Sequence, residues 1–514
     1  MPDKKEIGRV YLVGAGPGDP GLITEKGLRI LKKTDVVVYD NLVNLELLGA
    51  VSEKSEKIYV GKRAGNHTLP QEKINQLLVQ KARENRMVVR LKGGDPYVFG
   101  RGGEEALALR EAGVPFEVVP GVTAGVAALS YAGIPATMRG FDSSLTFVTG
   151  HEDPTKNGSD IHWPSLAKEK STLIFYMGMA HLSEITEQLL KNGKPPETPV
   201  AVVQRGTFPD QKVVEGTLTT IAEKARQAGM RPPAIIVVGD VIRLRSRLTW
   251  FERLPLAGQQ IVVTRASHQA SVLGNLLRER GAAVQILPVI KIADPNSWEP
   301  VDRLFGAPKK PDWLIFTSEN GVHRWMTRLF DSGNDVRWLG AVKVASIGSG
   351  TSRALREYGL RADLEPDVFV AEGLVNAFRS VSLQGASVVL ARAAEARDVL
   401  PKGLKRMGAN VTEVAVYKTL PDEQSRERAR ELFREPERFP DWITFTSSST
   451  VENFVRLLGG EIASDITDRI KVASIGPITT RTAEKFGFKV TVEPKQFTIR
   501  ALVEAIAAYG KKQR

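Results

Sequence analysis

Residues 86–105 read RMVVRLKGGDPYVFGRGGEE. A strand-like apolar run gives way to a loop with five glycines between Leu91 and Glu105, and then to the helix-like EEALALREAG. Glycine takes positive φ without steric penalty and lets backbone approach a ligand closely. One such loop is also compatible with a plain turn. The same punctuation recurs along the first half: GAGPGDPG, VGKRAGNH, VPGVTAGVAALSYAGIPAT, VTGHE, YMGMA and QRGTF each follow a strand-like run. Between them lie amphipathic runs of helix length, such as LITEKGLRILKKT and HLSEITEQLLKNG. This alternation predicts an α/β fold. In such folds ligands bind outside the carboxyl ends of strands. Several small-residue turns on one edge would cradle an extended, mostly neutral ligand.

The chain has 514 residues, too many for one hydrophobic core, so two or more domains are expected. Its 42% hydrophobic and 25% charged residues are ordinary for a globular protein. No apolar run reaches the ~18–20 residues that span a bilayer. The opening MPDKKEIGRVYLVG lacks the apolar core of a signal peptide, so a cytoplasmic location and no membrane partner are expected. The absence of cysteine excludes disulfides, thiolate zinc sites and Cys-ligated iron–sulfur clusters. The six histidines form no H-x-x-x-H pair, so no metal site is expected. The net charge is +12, and the densest basic stretch, Lys54–Lys92, lies among the candidate site loops. With no basic tail and no aromatic-interleaved basic motif, that charge favours a small polyanionic substrate over nucleic acid.

The chain divides near RLRSRLTWFERLPLAG, residues 243–258, which follows one buried-looking strand, AIIVVGDVI, and precedes another, QQIVVTRA. We expect a first domain over 1–245 with subdomains near 1–137 and 143–245, a linker at 246–257, and a second domain over 258–514. The second domain carries an internal repeat. PDWLIFTSENGV (311–322) recurs as PDWITFTSSSTV (440–451), and KVASIGSGTSRALREYGLRADLEP (343–366) as KVASIGPITTRTAEKFGFKVTVEP (471–494). IVVTRA at 261 also matches VVLARA at 388. A period this long means two copies of one α/β lobe rather than a solenoid, and a cleft between such lobes is a natural ligand site. Its Thr/Ser-rich turns contain Thr317, Ser318, Thr446 and Ser447, and Arg265 and Arg392 end matched strands. These hydroxyls suit helix caps. In facing lobes they would equally make a donor-rich, mildly basic pocket for carboxylates.

In the first half, GAGPGDPG departs from the dinucleotide fingerprint G-x-G-x-x-G, because position 19 is Asp and Pro17 interrupts the turn. Asp40 does stand at the next strand end, where an NAD enzyme would hold ribose, so a nicotinamide reading stays second. The ordered set VYDNLV, VGKRAG, LKGGDPYVFGRGGEE, PGVTAGVAA, AGIPAT, TGH, YMG and PPAIIVVGDV, spanning residues 8–245, resembles the tetrapyrrole methylase family, and within it the uroporphyrinogen-III C-methyltransferases. One departure is AGIPATMRG, where Met138 stands at a position usually held by His in the family. The resemblance implies a two-subdomain methylase fold, S-adenosylmethionine as cofactor and a homodimer formed through this domain. It places Pro17, Gly93, Gly94, Asp95, Val98, Thr123, Ala124, Met177 and Gly206 around the cofactor, with Asp95 accepting hydrogen bonds from it. It matches Asp40 and Lys62 to the family's proton acceptor and donor. Such roles fit the chemistry. An in-line methyl transfer needs alignment above all, and the methylated pyrrole ring must shed a proton. Arg101 is a candidate contact for a substrate carboxylate. Glu104 and Glu105 stand where acids favour a helix N-terminus. His151 and His181 are read as local hydrogen-bonding residues.

Residues 259–508 resemble the uroporphyrinogen-III synthase family through the TS-x-N-G-V turn, the KVASIG strands, and PVIKI and VYKTLP at matched positions. The resemblance implies lobe one at 259–290 plus 421–514 and lobe two at 292–418. It matches Tyr417 to a tyrosine that assists hydroxyl departure; a buried strand aromatic is the competing reading. Together the two resemblances imply a bifunctional enzyme. The second half would cyclise hydroxymethylbilane to uroporphyrinogen III with inversion of the terminal ring. The first would methylate that product twice to precorrin-2, toward siroheme or cobalamin. Without a third, NAD-binding oxidase and chelatase segment, completion of siroheme by this chain alone is not expected. The competing reading is a methylase of another corrin or of RNA, fused to a tetrapyrrole-binding bilobal module.

Overall fold

The computed structural model describes residues 7–61, 69–84, 86–150, 160–265, 267–395, 398–422, 425–460 and 464–512. The chain forms two compact units, Met1–Gln259 with Arg280–Ala283, and Gln260–Glu279 with Val284–Arg514. Lys62 and His151 lie outside the described residues.

The first unit holds two five-stranded sheets. β1 (Val10–Gly14), β2 (Val36–Tyr39), β3 (Glu56–Tyr59), β4 (Val88–Lys92) and β5 (Phe116–Val119) pair in the order β3-β2-β4-β1-β5, all parallel. Parallel strands covered on both faces read as continuous apolar runs, and Val36, Val37 and Val38 are all fully buried. The helix Glu25–Leu31 packs Ile30 and Leu31 on one face, with Val13, Val37 and Leu91. The helices Gln71–Arg83 and Gly102–Glu111 pack Ile74, Leu78, Ala106 and Leu109 on the other, with Leu12, Val38 and Val88. The connections leaving the adjacent strands β1 and β4 therefore run to opposite faces. Such a switch point opens a crevice at the strand ends, and both Gly-rich loops lie there.

The second sheet consists of β6 (Leu145–Thr149), β7 (Thr172–Tyr176), β8 (Pro199–Gln204), β9 (Lys212–Thr217) and β10 (Ala234–Val238), in the order β6-β7-β10-β8-β9. Only β6 and β7 are parallel. The helix Ala124–Tyr131 covers one face. Its small residues allow close approach. A Cβ on Gly125 would lie 2.3 Å from the Tyr176 hydroxyl, and one on Gly206 2.3 Å from Ala128 Cβ. The stretch read as a linker is structured, with a helical turn at Arg245–Leu248 and a 3-10 turn at Phe251–Arg253. Phe251 is buried and, like Trp250, packs edge-on to Tyr131.

The second unit repeats one sheet plan. β11 (Gln260–Val263), β12 (Ala283–Ile286), β13 (Ile290–Ala293), β14 (Trp313–Phe316), β15 (Lys343–Ser346), β16 (Ser387–Ala393), β17 (Asn410–Pro421), β18 (Trp442–Phe445), β19 (Lys471–Ser474) and β20 (Val490–Val492) form the sheets β12-β11-β18-β19-β20 and β13-β17-β16-β14-β15. β11-β18-β19 corresponds to β16-β14-β15, and the bridge Ala345–Leu364 stands where β20 joins the other lobe. The repeat extends to hydrogen bonds. Ser346, Ser352 and Glu365 form one chain, and Ser474, Thr480 and Glu493 form its counterpart 128 residues on. Where the chain passes between lobes, β13 pairs antiparallel with the end of β17, and Ile292 packs against both cores.

Candidate functional site

In the first unit, five strand-end loops interlock. Gly16 and Gly94 exchange backbone hydrogen bonds, 3.2 Å from Gly16 N–H to the Gly94 carbonyl and 2.8 Å in return. The loop after β5 closes on both. A Cβ on Gly121 would lie 2.2 Å from the Gly94 carbonyl oxygen and 2.7 Å from Gly14 Cα. Asp19 N–H donates to Thr207 Oγ1 (3.0 Å) in the loop after β8, and Tyr131 Oη donates to the Asp19 carboxylate (2.6 Å). Burial and that carboxylate push the Tyr131 phenol well above its ordinary range. The Tyr176 hydroxyl, at the end of β7, accepts from Gly125 N–H and bonds Thr123 Oγ1, each at 2.7 Å. Phe99 packs at a tilt against the Tyr176 ring, with centroids 5.0 Å apart.

Among the described residues, five non-glycine residues have positive φ: Phe99, Arg101, Met177, Arg205 and Thr207. All five belong to these loops. Strained backbone persists where the surrounding structure enforces it, and it concentrates at functional sites. Met177 and Phe99 are exposed although apolar.

The structure thus brings Pro17, Gly93, Gly94, Asp95, Val98, Thr123, Ala124, Met177 and Gly206 into one set of touching loops. The glycines of Leu91–Glu105 serve different ends. Gly94 has φ +68, while a Cβ on Gly93 would strike Leu42 and one on Gly102 the Pro96 carbonyl. Close approach of the protein to itself accounts for Gly93, Gly100 and Gly102, and positive φ for Gly94. Asp95 shows the same shift of emphasis. One carboxylate oxygen accepts from Tyr97 N–H (2.8 Å) and the other from Gly121 N–H (2.9 Å), so its first task is to tie two loops together. Met138 is exposed, and its N–H donates to the Asp142 carbonyl.

Asp40 sits just past β2, with its side chain 22% exposed. One oxygen accepts from Leu42 N–H (3.1 Å) and the other from Arg90 Nη2 (2.9 Å). Arg90 Nε also donates to Glu105 Oε1 (3.1 Å), which accepts from Lys92 Nζ (3.0 Å) and Gln71 Nε2 (3.2 Å) as well. Burial lowers the Lys92 pKa, opposed by Glu105. Glu105 does stand in the first turn of the helix Gly102–Glu111, and it is also fully buried and faces two cations. Arg101, by contrast, is exposed and forks onto Glu104 at 2.8 and 2.7 Å. Sequence reasoning missed Arg90, Lys92 and Tyr176. The one available signal was the charge within the otherwise apolar run VVRLK.

In the second unit, Tyr417 is buried in β17, and its hydroxyl lies 3.0 Å from Ser318 Oγ. Burial raises its pKa, so the phenol stays protonated at neutral pH. Ser318 also caps the helix Glu319–Asp331, accepting from Gly321 N–H, and Thr317 is half-buried beside it. Ser447 caps the helix Ser448–Leu457 in a capping box with Thr450, next to the half-buried Thr446. The two matched arginines differ. Arg392 is buried on Glu413 of its own sheet at 2.8 Å, whereas Arg265 reaches across to Glu319 of the other lobe at 3.7 Å. Arg353 meets Glu319 from the other side at 3.0 Å. No group of acidic or histidine residues suited to a metal ion exists among the described residues.

Comparison with known proteins follows the same division. The tetrapyrrole (corrin/porphyrin) methylase family model matches residues 9–222, and that of uroporphyrinogen-III synthase matches residues 271–504. A protein of Ruminiclostridium josui described as porphyrin biosynthesis protein HemD is 37% identical over 508 residues, 98% of this chain and 99% of its own. The chain belongs to the family of fused tetrapyrrole methylases and uroporphyrinogen-III synthases. An S-adenosyl-L-methionine-dependent uroporphyrinogen III methyltransferase of Methanosarcina barkeri is 54% identical over 241 residues, 47% of this chain and 94% of its own. A solved uroporphyrin-III C-methyl transferase of Thermus thermophilus, complexed with S-adenyl homocysteine, is 42% identical. It covers 46% of this chain and 94% of its own, with a TM-score of 0.40.

Proposed function

We propose that the chain is a bifunctional enzyme of tetrapyrrole biosynthesis: the second unit cyclises hydroxymethylbilane to uroporphyrinogen III, and the first methylates that product twice to precorrin-2. The observation that carries the reading is the pairing of both families in one chain with a full-length relative of the same make-up. The methylase loops fit S-adenosylmethionine. The exposed, positive-φ Met177 and the Gly93-Gly94-Asp95 turn frame a crevice whose walls are backbone and small side chains. Bound there, the cofactor supplies an electrophilic methyl group. Pro17, Gly93, Gly94, Asp95, Val98, Thr123, Ala124, Met177 and Gly206 would hold it, and rigid loops supply the alignment that a displacement needs. Asp40 would take the proton shed by the methylated ring, with Lys62 as the matching donor and Arg101 beside a substrate carboxylate.

In the synthase cleft the neutral Tyr417 hydroxyl would assist departure of the substrate hydroxyl, with Ser318 orienting it. Thr317, Ser318, Thr446 and Ser447 would donate to substrate carboxylates. Both arginines, Arg265 paired with Glu319 and Arg392 with Glu413, would add positive charge for those carboxylates. Among the described residues no helix is long and apolar enough to cross a membrane. Our reading includes a cytoplasmic location and a homodimer formed through the methylase.

The test supplies hydroxymethylbilane to the purified protein with and without S-adenosylmethionine and identifies the macrocycle isomer and methyl count. Type III macrocycle without cofactor and a dimethylated product with it are expected. Type I macrocycle alone overturns the synthase assignment. Authentic uroporphyrinogen III left unmethylated overturns the methylase assignment.

A further inference from the structure

Four charged side chains, Asp40, Arg90, Lys92 and Glu105, form one connected cluster under the methylase crevice, and only one of them reaches solvent. Side-chain exposure is 4% for Arg90, 5% for Lys92 and 0% for Glu105, against 22% for Asp40. Arg90 is the hub. Its Nε donates to Glu105, its Nη2 to Asp40, and its Nη1 to the carbonyls of Leu91 (3.1 Å) and Val38 (3.4 Å). All parts of the guanidinium fork are engaged, so its plane is fixed by two strands and a helix. Glu105 is used one-sidedly: Gln71, Arg90 and Lys92 all donate to Oε1, while the buried Oε2 has no partner. That arrangement favours anchoring two cations over satisfying the carboxylate itself.

We propose that Arg90, anchored by Glu105, is a positioning residue that fixes the direction of the Asp40 carboxylate. This inference rests on the reading of Asp40 as the proton acceptor. After methyl transfer the ring sheds one proton. The bond to that proton breaks, its electron pair returns to the ring and neutralises the positive charge, and an O–H bond forms on Asp40. A carboxylate can do this only if it is unprotonated and correctly aimed. Arg90 serves the second need, since a rigid fork sets direction. The charged groups facing Asp40 among the described residues are Arg90 and Lys92 from β4 and, behind them, Glu105 from the following helix. Lys92 lends long-range support; only Arg90 touches Asp40.

The test uses the full chain with uroporphyrinogen III and S-adenosylmethionine, and compares Asp40→Asn, Arg90→Met and Arg90→Lys. Removing the fork leaves the Asp40 carboxylate without its fixed direction. For Arg90→Met we expect kcat to fall at least about 30-fold, with the KM for uroporphyrinogen III within about twofold. S-adenosylmethionine affinity, read by calorimetry, stays within about twofold, since no cofactor contact is lost. Arg90→Lys keeps the charge and loses the fork, so kcat falls here too while KM stays near its original value. If Arg90→Met does not fold, Arg90→Lys carries the test by this split between kcat and KM. Loss of folding in both assigns Arg90 to stability alone and overturns the proposal. So does an Arg90→Met enzyme with unchanged kcat while Asp40→Asn is slow. Full activity of Asp40→Asn overturns the reading of Asp40, and the positioning role falls with it.

Discussion

The strand-end loops of the first unit and the matched strand-end turns of the second both stand at the carboxyl ends of parallel strands, but they are built from different materials. In the first unit the loops are held by contacts of backbone on backbone, by enforced positive φ at five side-chain-bearing residues, and by a buried ion cluster. In the second the corresponding turns are ordinary helix entries, capped by Ser318 and Ser447. The difference follows the chemistry. A displacement at a sulfonium has one productive line of approach, and small misplacements are expensive. Cyclisation of a long, flexible polycarboxylate requires a surface that folds the substrate, which many hydroxyls can provide without strain.

The sharpest break of this comparison is Gly121→Ala. Its added methyl would overlap the Gly94 carbonyl oxygen at 2.2 Å and Gly14 Cα at 2.7 Å, so backbone must move. Methylation should fall at least about 100-fold, because reacting groups misplaced by about 1 Å lose that much. Overpacking of this kind should also destabilise the first unit by about 1–3 kcal/mol. Assay of both activities on one sample checks the contrast, since cyclisation should be retained. Near-normal methylation would mean that the loops tolerate movement, and the contrast in rigidity would fail.

Tyr417→Phe comes next. Burial holds the phenol above its ordinary pKa, so it is neutral throughout the working range and can act only as a hydrogen-bond donor or proton donor. Its loss should slow cyclisation about 10- to 100-fold, as for a single positioned acid. Below about pH 10 the shape of the pH profile should not change, because the native tyrosine does not titrate there. Rate measurement with separation of type I and type III products decides it; an unchanged rate leaves Tyr417 as a packing residue.

The duplicated architecture was legible because it is written locally. Apolar runs and turn residues are signals only a few residues long, and KVASIG recurs unchanged 128 residues on. The ion cluster was not legible. Arg90 and Glu105 lie within one strand–loop–helix segment, but Asp40 is 50 residues away and meets them only because β2 pairs with β4. Nor did the sequence separate the arginines. Arg265 and Arg392 occupy matched strand ends, and their fates diverge through a neighbour: the strand beside Arg392 carries Glu413, whereas the matched place in the other lobe is Ile286. A glycine-rich loop likewise reads the same whether it clears space for a ligand or for another loop, and close approach of loop to loop is what Gly14, Gly94 and Gly121 show.

The smallest expected effect separates capping from substrate handling. Ser318 and Ser447 occupy matched places in the two lobes, and each accepts a backbone N–H of the helix that it starts. Replacing either by alanine leaves a first-turn donor without its cap and should destabilise the second unit by about 1 kcal/mol. Their surroundings differ, because Ser318 Oγ is also within hydrogen-bond distance of the Tyr417 hydroxyl, while Ser447 Oγ meets Ser449. Thermal denaturation should therefore give similar shifts for Ser318→Ala and Ser447→Ala. Cyclisation should slow about tenfold only for Ser318→Ala, through the lost orientation of Tyr417. In the double variant Ser318→Ala/Tyr417→Phe the rate losses should fall short of the product of the single losses, since the two groups act as a unit. Equal slowing by Ser447→Ala would place both caps in the substrate site and restore symmetry to the lobes.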